Sequence, residues 1–220
     1  MTAEFWGLLT PAEQEDFTRN SHVKRWQRGE VIFHEGDKSD SVIALQAGRV
    51  KASCHTVGGS EIVLAVRGPG ALLGELSAVD GEPRSATLQA LDPLTALVMP
   101  LAAFEAYLLS HSRVTYLLMR MLSERLRDAD RKRIEFGAQD STGRVAARLV
   151  ELAERFGAPN GEGEIKISLP LSQDELAGWI GASREAVSKA LGVLRSAGWI
   201  RTSRLSVVVL DLAALRERAS

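Results

Sequence analysis

Met119-Arg120-Met121-Leu122-Ser123-Glu124-Arg125-Leu126-Arg127-Asp128-Ala129-Asp130 is the centre of the stretch on which the fold turns. Followed in both directions, Thr115, Met119, Leu122, Leu126, Ala129, Arg133 and Phe136 recur at alternating spacings of four and three. Such spacing keeps one face of a helix in line, the geometry by which two helices pack along each other. Arg133 interrupts the register and Thr115 weakens it, so the coiled coil is short and imperfect. Charged residues fill the remaining faces, among them Arg120, Glu124, Arg127, Asp128 and Arg131. Periodicity alone leaves two readings open. Met119, Leu122, Leu126, Ala129 and Phe136 form either a dimer seam or the apolar side of a helix facing its own domain.

The texture differs on either side of this helix. Upstream, Thr10-Pro11-Ala12-Glu13 reads as a capping box opening a helix that runs to about Asn20. From Val31 to Met99, short apolar runs (Val31 to Phe33, Val42 to Leu45, Ile62 to Val66, Leu94 to Met99) alternate with Gly29, Gly36-Asp37, Gly48, Gly58-Gly59 and Gly68-Pro69-Gly70. Many short strands between regular turn signals predict a β-roll, with His55 to Ser60 as a hairpin tip. Downstream, Gly137-Ala138-Gln139 is expected to end the long helix, with Asp140 capping the next, Thr142 to Phe156. Gly157 to Glu164 is a turn-rich loop, and Ile165 to Ile167 a strand.

Leu171-Ser172-Gln173-Asp174-Glu175-Leu176 carries a second capping box, and Gly181-Ala182-Ser183 breaks the helix it opens. Ser183 then caps a helix through Leu194. Ala177, Gly181, Val187 and Leu191 supply the small and apolar positions that let two helices cross steeply through a short turn, which is a helix-turn-helix. Val207 to Leu210 completes a hairpin wing. Arg184, Glu185, Ser188 and Lys189 share one exposed face near the start of the second helix. Arg and Lys there suit guanine edges, and Glu suits the cytosine amino group. The chain therefore reads as α+β: a jelly-roll-like β-roll at 1–110, a dimerisation helix at 111–137 and a winged helix-turn-helix at 138–220.

Composition excludes more than it selects. The chain has 220 residues, 45% of them hydrophobic and 25% charged, with a net charge of −1. That is an ordinary globular balance, and any DNA contact must come from a local cluster rather than from bulk charge. No apolar run approaches a membrane span and no signal-peptide pattern opens the chain, so a cytoplasmic location is expected. Cys54 is the single cysteine, and His22, His34, His55 and His111 share no ligand spacing. No metal, haem or iron–sulfur site is expected.

Within the β-roll, Gly70, Gly74-Glu75-Leu76-Ser77 and Pro83-Arg84-Ser85-Ala86 outline a glycine-bounded turn followed by an arginine and a hydroxyl. Backbone N–H groups with a forked cation suit an anion. With Phe33-His34-Glu35-Gly36-Asp37 and Gly48 before it, this run resembles the phosphate-binding cassette of cyclic-nucleotide-binding domains. The winged helix is similar to that of the Crp/Fnr regulators over Ser183-Arg184-Glu185-x-Val187-x-Lys189. The resemblance implies that Glu75 holds a ribose 2′-hydroxyl, that Arg84 pairs with a cyclic phosphate and that Ser85 donates to phosphate or base, with Gly74 and Leu76 completing the cassette. Ala129 and Asp130 stand where the cyclic-AMP receptor branch has a Thr-Ser or Thr-Asn pair that contacts the purine, part of it across the dimer. Ala129 cannot hydrogen-bond and an ionised Asp130 only accepts. Asp130 suits the adenine amino group, the paired donors of guanine, or a simple ion pair with Arg127 on its own helix.

The resemblance further implies a homodimer on palindromic double-stranded DNA with GTGA-like half-sites, Ser172 and Ser183 flanking the contacts of Arg184, Glu185, Ser188 and Lys189. Lys189 replaces the usual arginine, keeping the donor and losing its fork. The implied effector is cyclic AMP, with cyclic GMP or no effector as the alternatives. The loop from Gly157 to Glu164 is open to RNA polymerase, although no residue in it specifies that contact. A nucleotide-processing enzyme is the reading from another class. It lacks a nucleophile or base aligned with an orienting group, so no catalytic residue is assigned.

Overall fold

The structure is a computed structural model describing residues 4–161, 163–168, 171–203 and 205–219. The chain divides into two compact units: residues up to 54 with 64–128, and 55–63 with 129–220.

The first unit opens with α1 (Phe5–Leu8) and α2 (Pro11–Arg19). The Thr10 hydroxyl accepts from the Glu13 N–H at 3.3 Å, and Glu13 Oε2 accepts from the Thr10 N–H at 2.7 Å, the box read from sequence. Strands β1 (His22–Trp26), β2 (Val31–Phe33), β3 (Ser41–Ala47), β4 (Val50–His55), β5 (Glu61–Arg67) and β6 (Leu72–Leu73) follow, then α3 (Glu75–Asp80), β7 (Thr87–Ala90) and β8 (Leu94–Pro100). They form two four-stranded sheets, ordered β1-β8-β3-β6 and β2-β7-β4-β5. Helices α4 (Leu101–Ser110) and α5 (Ser112–Ala138) come next. The helical stretch starting at Leu101 is thus interrupted at His111, whose N–H donates to Tyr107 O.

Strand β3 explains the unbroken apolar run in its sequence. Val42 and Ala44 face a cluster containing Phe104, Tyr107, Val114 and Leu118, while Ile43 and Leu45 face Val50, Leu73, Leu88 and Ala96. Both faces are buried, so alternation disappears. Each large side chain removed from water in these clusters contributes about 1.5–3 kcal/mol. Strand β1 carries no periodic signal because four of its five residues are exposed.

Glu13 is buried and paired with Arg113, whose Nε donates to Glu13 Oε1 at 2.9 Å and whose Nη2 bonds Oε2. The Arg113 hydrogen bond, against the opposing effect of burial, holds the Glu13 carboxyl down at about 2 from an ordinary 4.5. A depressed carboxyl stabilises the fold above its unfolded value, and that contribution is lost as pH falls through the folded value. Acid unfolding should therefore steepen between about pH 4.5 and pH 2. Glu13→Gln should flatten that limb in urea titrations at stepped pH; an unchanged slope would remove Glu13 as its source.

The second unit takes in residues 129–138 of α5, then α6 (Ser141–Phe156), β9 (Ala158–Pro159), β10 (Ile165–Ser168), α7 (Gln173–Ile180), α8 (Arg184–Ser196), β11 (Ile200–Ser203), β12 (Ser206–Val209) and α9 (Leu212–Arg218). The sheet order is β11-β12-β10-β9. Helix α5 ends at Ala138, within the Gly137-Ala138-Gln139 break, and Gln139 and Asp140 lie outside any helix. Asp140 caps α6 as expected, accepting from Gly143 N–H at 2.8 Å. Within the loop read as Gly157 to Glu164, β9 pairs with β10, and Glu162 lies outside the described residues. Helix α9, not among the elements expected from the sequence, opens on an aspartate cap, Asp211 Oδ1 accepting from Ala214 N–H at 2.9 Å. It is tied to the α6 cap by Arg218 Nη2, 2.5 and 2.6 Å from the two oxygens of Asp140, and by Gln139 Nε2 donating to Ala219 O at 2.7 Å.

Candidate ligand cassette and DNA-reading helix

The cassette is built around Gly74, which caps α3 with a φ of +78°. A side chain there would be strained by the backbone and would lie 2.5 Å from Arg84 Nη1, so glycine is the residue that admits the arginine. Arg84 is 3% exposed. Its Nη1 donates to Gly74 O at 3.2 Å and to Ser77 Oγ at 3.0 Å. Its Nη2 donates to Ser41 O at 2.7 Å and to Asp40 Oδ1 at 3.1 Å. The guanidinium carbon lies 4.2 Å from the Phe33 ring centroid. Burial lowers the Arg84 pKa, while Asp40, Asp37 and Glu75 oppose the shift. One donor is left over: Arg84 Nε is buried without a partner, as is Ser39 Oγ. A buried unmatched donor on a cation is costly and is the group an anion would satisfy.

Glu75 is 2% exposed and pairs with Arg125 Nη1, while Arg125 Nη2 donates to Leu72 O at 2.7 Å. In the sequence Arg125 is only part of the charged flank of α5. Its role needs the fold, because fifty positions separate it from Glu75. Ser85 is exposed, its carbonyl accepting from Cys54 Sγ at 3.3 Å, and Leu76 is exposed too. The structure therefore gathers Gly74, Glu75, Leu76, Arg84 and Ser85 in one unit. Ala129 and Asp130 belong to the other unit and are exposed. Among the described residues no ion pair joins Asp130 to Arg127.

Along α5, Met119 and Leu126 are exposed at 54% and 65%, and Leu122 is half-buried. Phe136 is engaged within the second unit. A Cβ on Gly181, at φ +61°, would lie 2.5 Å from the Phe136 ring, and the Arg144 guanidinium is 5.5 Å from the ring centroid.

The reading helix follows its sequence signals closely. The Ser172 hydroxyl accepts from Glu175 N–H at 3.1 Å and Glu175 returns the bond to the Ser172 N–H at 2.7 Å. Gly181 ends α7 in the left-handed conformation, and the Ser183 hydroxyl accepts from Ala186 N–H at 3.2 Å to start α8. Val187, Ala190, Leu191 and Leu194 are buried, which turns Arg184, Glu185, Ser188 and Lys189 outward. The helix-start amide and the Ser183 hydroxyl hold the Glu185 carboxyl below its ordinary value. Arg184 lies 3.6 Å from Asp174 on α7, a contact the sequence does not indicate. In the wing, Arg195 Nη1 donates to Thr202 Oγ1 at 3.1 Å and Arg201 pairs with Glu164 at 3.1 Å.

Among the described residues no group of His, Cys, Asp or Glu is placed to hold a metal ion, and no helix is long and apolar enough to cross a membrane.

A β-sheet unit with a buried arginine in a glycine-bounded cassette, joined in sequence to a capped helix-turn-helix with a wing, defines a class of DNA-binding regulator. Comparison with known proteins agrees. Residues 23–111 match the cyclic nucleotide-binding domain and residues 143–218 the Crp-like helix-turn-helix domain. The chain is similar to a CRP-like cAMP-activated global transcriptional regulator of Mycobacterium tuberculosis, 34% identical over 96% of this chain and 94% of that one. It is also similar to a cyclic AMP receptor protein of Thermus thermophilus, 31% identical over 98% and 95%. Among solved structures, a transcriptional regulator of the CRP family from Thermus thermophilus matches with a TM-score of 0.75 at 27% identity, over 89% of this chain and 96% of that one. FixK2 from Bradyrhizobium japonicum shares the fold at a TM-score of 0.81 and 21% identity, over 91% and 98%. The chain belongs to the Crp/Fnr family of DNA-binding transcription regulators.

Proposed function

We propose that this regulator works as a homodimer whose operator affinity is set by a cyclic nucleotide, cyclic AMP before cyclic GMP. The observation that carries the reading is Arg84, buried in the cassette with an unpartnered Nε. The cyclic phosphate takes that donor and Ser85, and Glu75, already oriented by Arg125, accepts from the ribose hydroxyl. Residues 1–110 serve as the ligand domain, 111–137 as the dimer helix through Met119, Leu122, Leu126 and Ala129, and 138–220 as the DNA-binding domain. Ala129 and Asp130 face the purine in this reading, with Asp130 accepting from an exocyclic amino group. Arg184, Glu185, Ser188 and Lys189 read GTGA-like half-sites about 10 base pairs apart centre to centre. No catalytic role is assigned, and RNA polymerase is the further partner through which a DNA-bound dimer would act, in the cytoplasm.

A ligand shifts DNA affinity only as far as it prefers one arrangement of the protein over the other. Calorimetric titration of cyclic AMP and cyclic GMP, each with and without operator, reads that preference directly. Equal operator affinity in every lane would leave a constitutive DNA binder, the reading that the departures at Ala129 and Asp130 favour. Sedimentation that found single chains under all conditions would remove the dimer.

Asp174 tunes this interface. Its carboxylate lies beside Arg184 on the exposed start of α7, where a helix end meets the DNA backbone in this motif. Asp174→Asn removes a repulsive charge and frees the arginine. Exposed pairs of this kind are worth roughly 0.2–1 kcal/mol, so operator affinity should rise about 1.4- to fivefold at low salt. A fall in affinity would mean that Asp174 positions Arg184 rather than restraining it.

A further inference from the structure

The reverse side of Arg84 opens on a cavity of about 360 Å³ that the cassette does not explain. Asp40 and Ser41, which hold Nη2, line it; Gly74 and Ser77, which hold Nη1, do not. Glu75, Leu76 and Ser85 are likewise absent from its wall. Its apolar lining comes from Trp26, Ile32, Phe33, Ile43, Val98 and Pro100. Lys24, Lys38 and His22 supply the polar rim.

The charges there are unevenly committed. Both acids in the wall are engaged: Asp37 accepts from the His34 N–H at 2.7 Å, and Asp40 is bound to Arg84. The two lysines make no ion pair among the described residues, and Lys24 Nζ stands 5.1 Å from the Trp26 ring centroid. Ser39 Oγ, buried without a partner, belongs to the segment that forms the wall. A concave space of this size, lined in part by apolar and in part by polar groups with two lysines among them, has the form of a small-molecule site.

We propose that this cavity is a second ligand site, for a small anion carried on a flat apolar body: an aromatic carboxylate or an aryl phosphate. The ring lies on the Trp26 and Phe33 surface and the anion takes Lys24 and Lys38. Because Arg84 both lines the cavity and belongs to the cassette, an occupant here alters the neighbourhood of the cassette arginine without using the cassette.

Benzoate, phenyl phosphate, benzyl alcohol and inorganic phosphate, titrated separately into the full chain, test this. Tryptophan fluorescence is the readout, with Trp26→Phe assigning the signal. At least one of the two aromatic anions should saturate with a dissociation constant in the millimolar range or below, and the better one identifies the head group. Benzyl alcohol and inorganic phosphate, each lacking half of the recognition, should bind at least tenfold more weakly. Lys24→Ala combined with Lys38→Ala should weaken the aromatic anion at least tenfold and leave cyclic AMP binding unchanged. Equilibrium dialysis of radiolabelled benzoate and phenyl phosphate against that lysine variant gives the same answer if Trp26→Phe does not fold. No saturation by either anion, or unaltered affinity in the lysine variant, overturns the proposal. A protein that ignored cyclic AMP yet bound phenyl phosphate here would keep this inference and lose the cassette reading.

Discussion

Replacing Arg84 with alanine should weaken cyclic-nucleotide binding by about thirtyfold or more. Removing one partner of a buried, charge-assisted contact costs about 2–5 kcal/mol, and Arg84 is the buried cation of the cassette. The variant also strands Gly74 O, Ser77 Oγ, Ser41 O and Asp40 Oδ1, each an acceptor for the guanidinium. Leaving such groups unmatched destabilises the β-roll by about 2–4 kcal/mol, so binding must be read well below the variant's melting point. Arg84→Lys is the informative companion. It keeps the charge but cannot satisfy acceptors on two edges, so partial folding rescue without binding rescue is expected. Undiminished nucleotide uptake in Arg84→Ala would refute the cassette.

Arg184→Ala should weaken specific operator binding by about 1–3 kcal/mol, roughly five- to 150-fold, and relax preference at one base pair. The residue is exposed at the start of α8 and contributes nothing to the buried face formed by Val187, Ala190, Leu191 and Leu194. Its loss should therefore leave the folding stability within a few tenths of a kcal/mol of the parent. Gel shifts on an operator series substituted one position at a time make the measurement. Uniform weakening across the series would assign Arg184 to the phosphate backbone, and unchanged binding would move base reading to another helix.

What the sequence discloses, and what it withholds, follows from the range of the interactions. Capping boxes at Thr10 and Ser172 and the caps at Asp140 and Ser183 act within three residues, so each is legible and each is present. Glycines at 74 and 181 read as breaks, and both occupy the left-handed region. Strand β1 escapes because its residues are exposed in a row; helix α9 has a local cap at Asp211, while its ties to Gln139 and Asp140 are long-range and carry no mark in the sequence. The proposed ligand residues Gly74, Glu75, Arg84 and Ser85 are weak signals by themselves and stand out only through the resemblance of the run that holds them. Their supports, Asp40 and Arg125, lie 44 and 50 positions away and carry no local mark. Such partners become visible only when strands and helix are assembled.

The engagement of Glu75 by Arg125 and of Arg84 by Asp40 has a thermodynamic corollary. Apart from Arg84 Nε, an incoming nucleotide meets no bare charge; for its other polar contacts it competes with carboxylate and guanidinium groups. Heat released at the new contacts is largely returned in breaking the old ones. Calorimetry should accordingly record a small enthalpy, with the affinity coming from displaced water and from the apolar wall against the sugar and base.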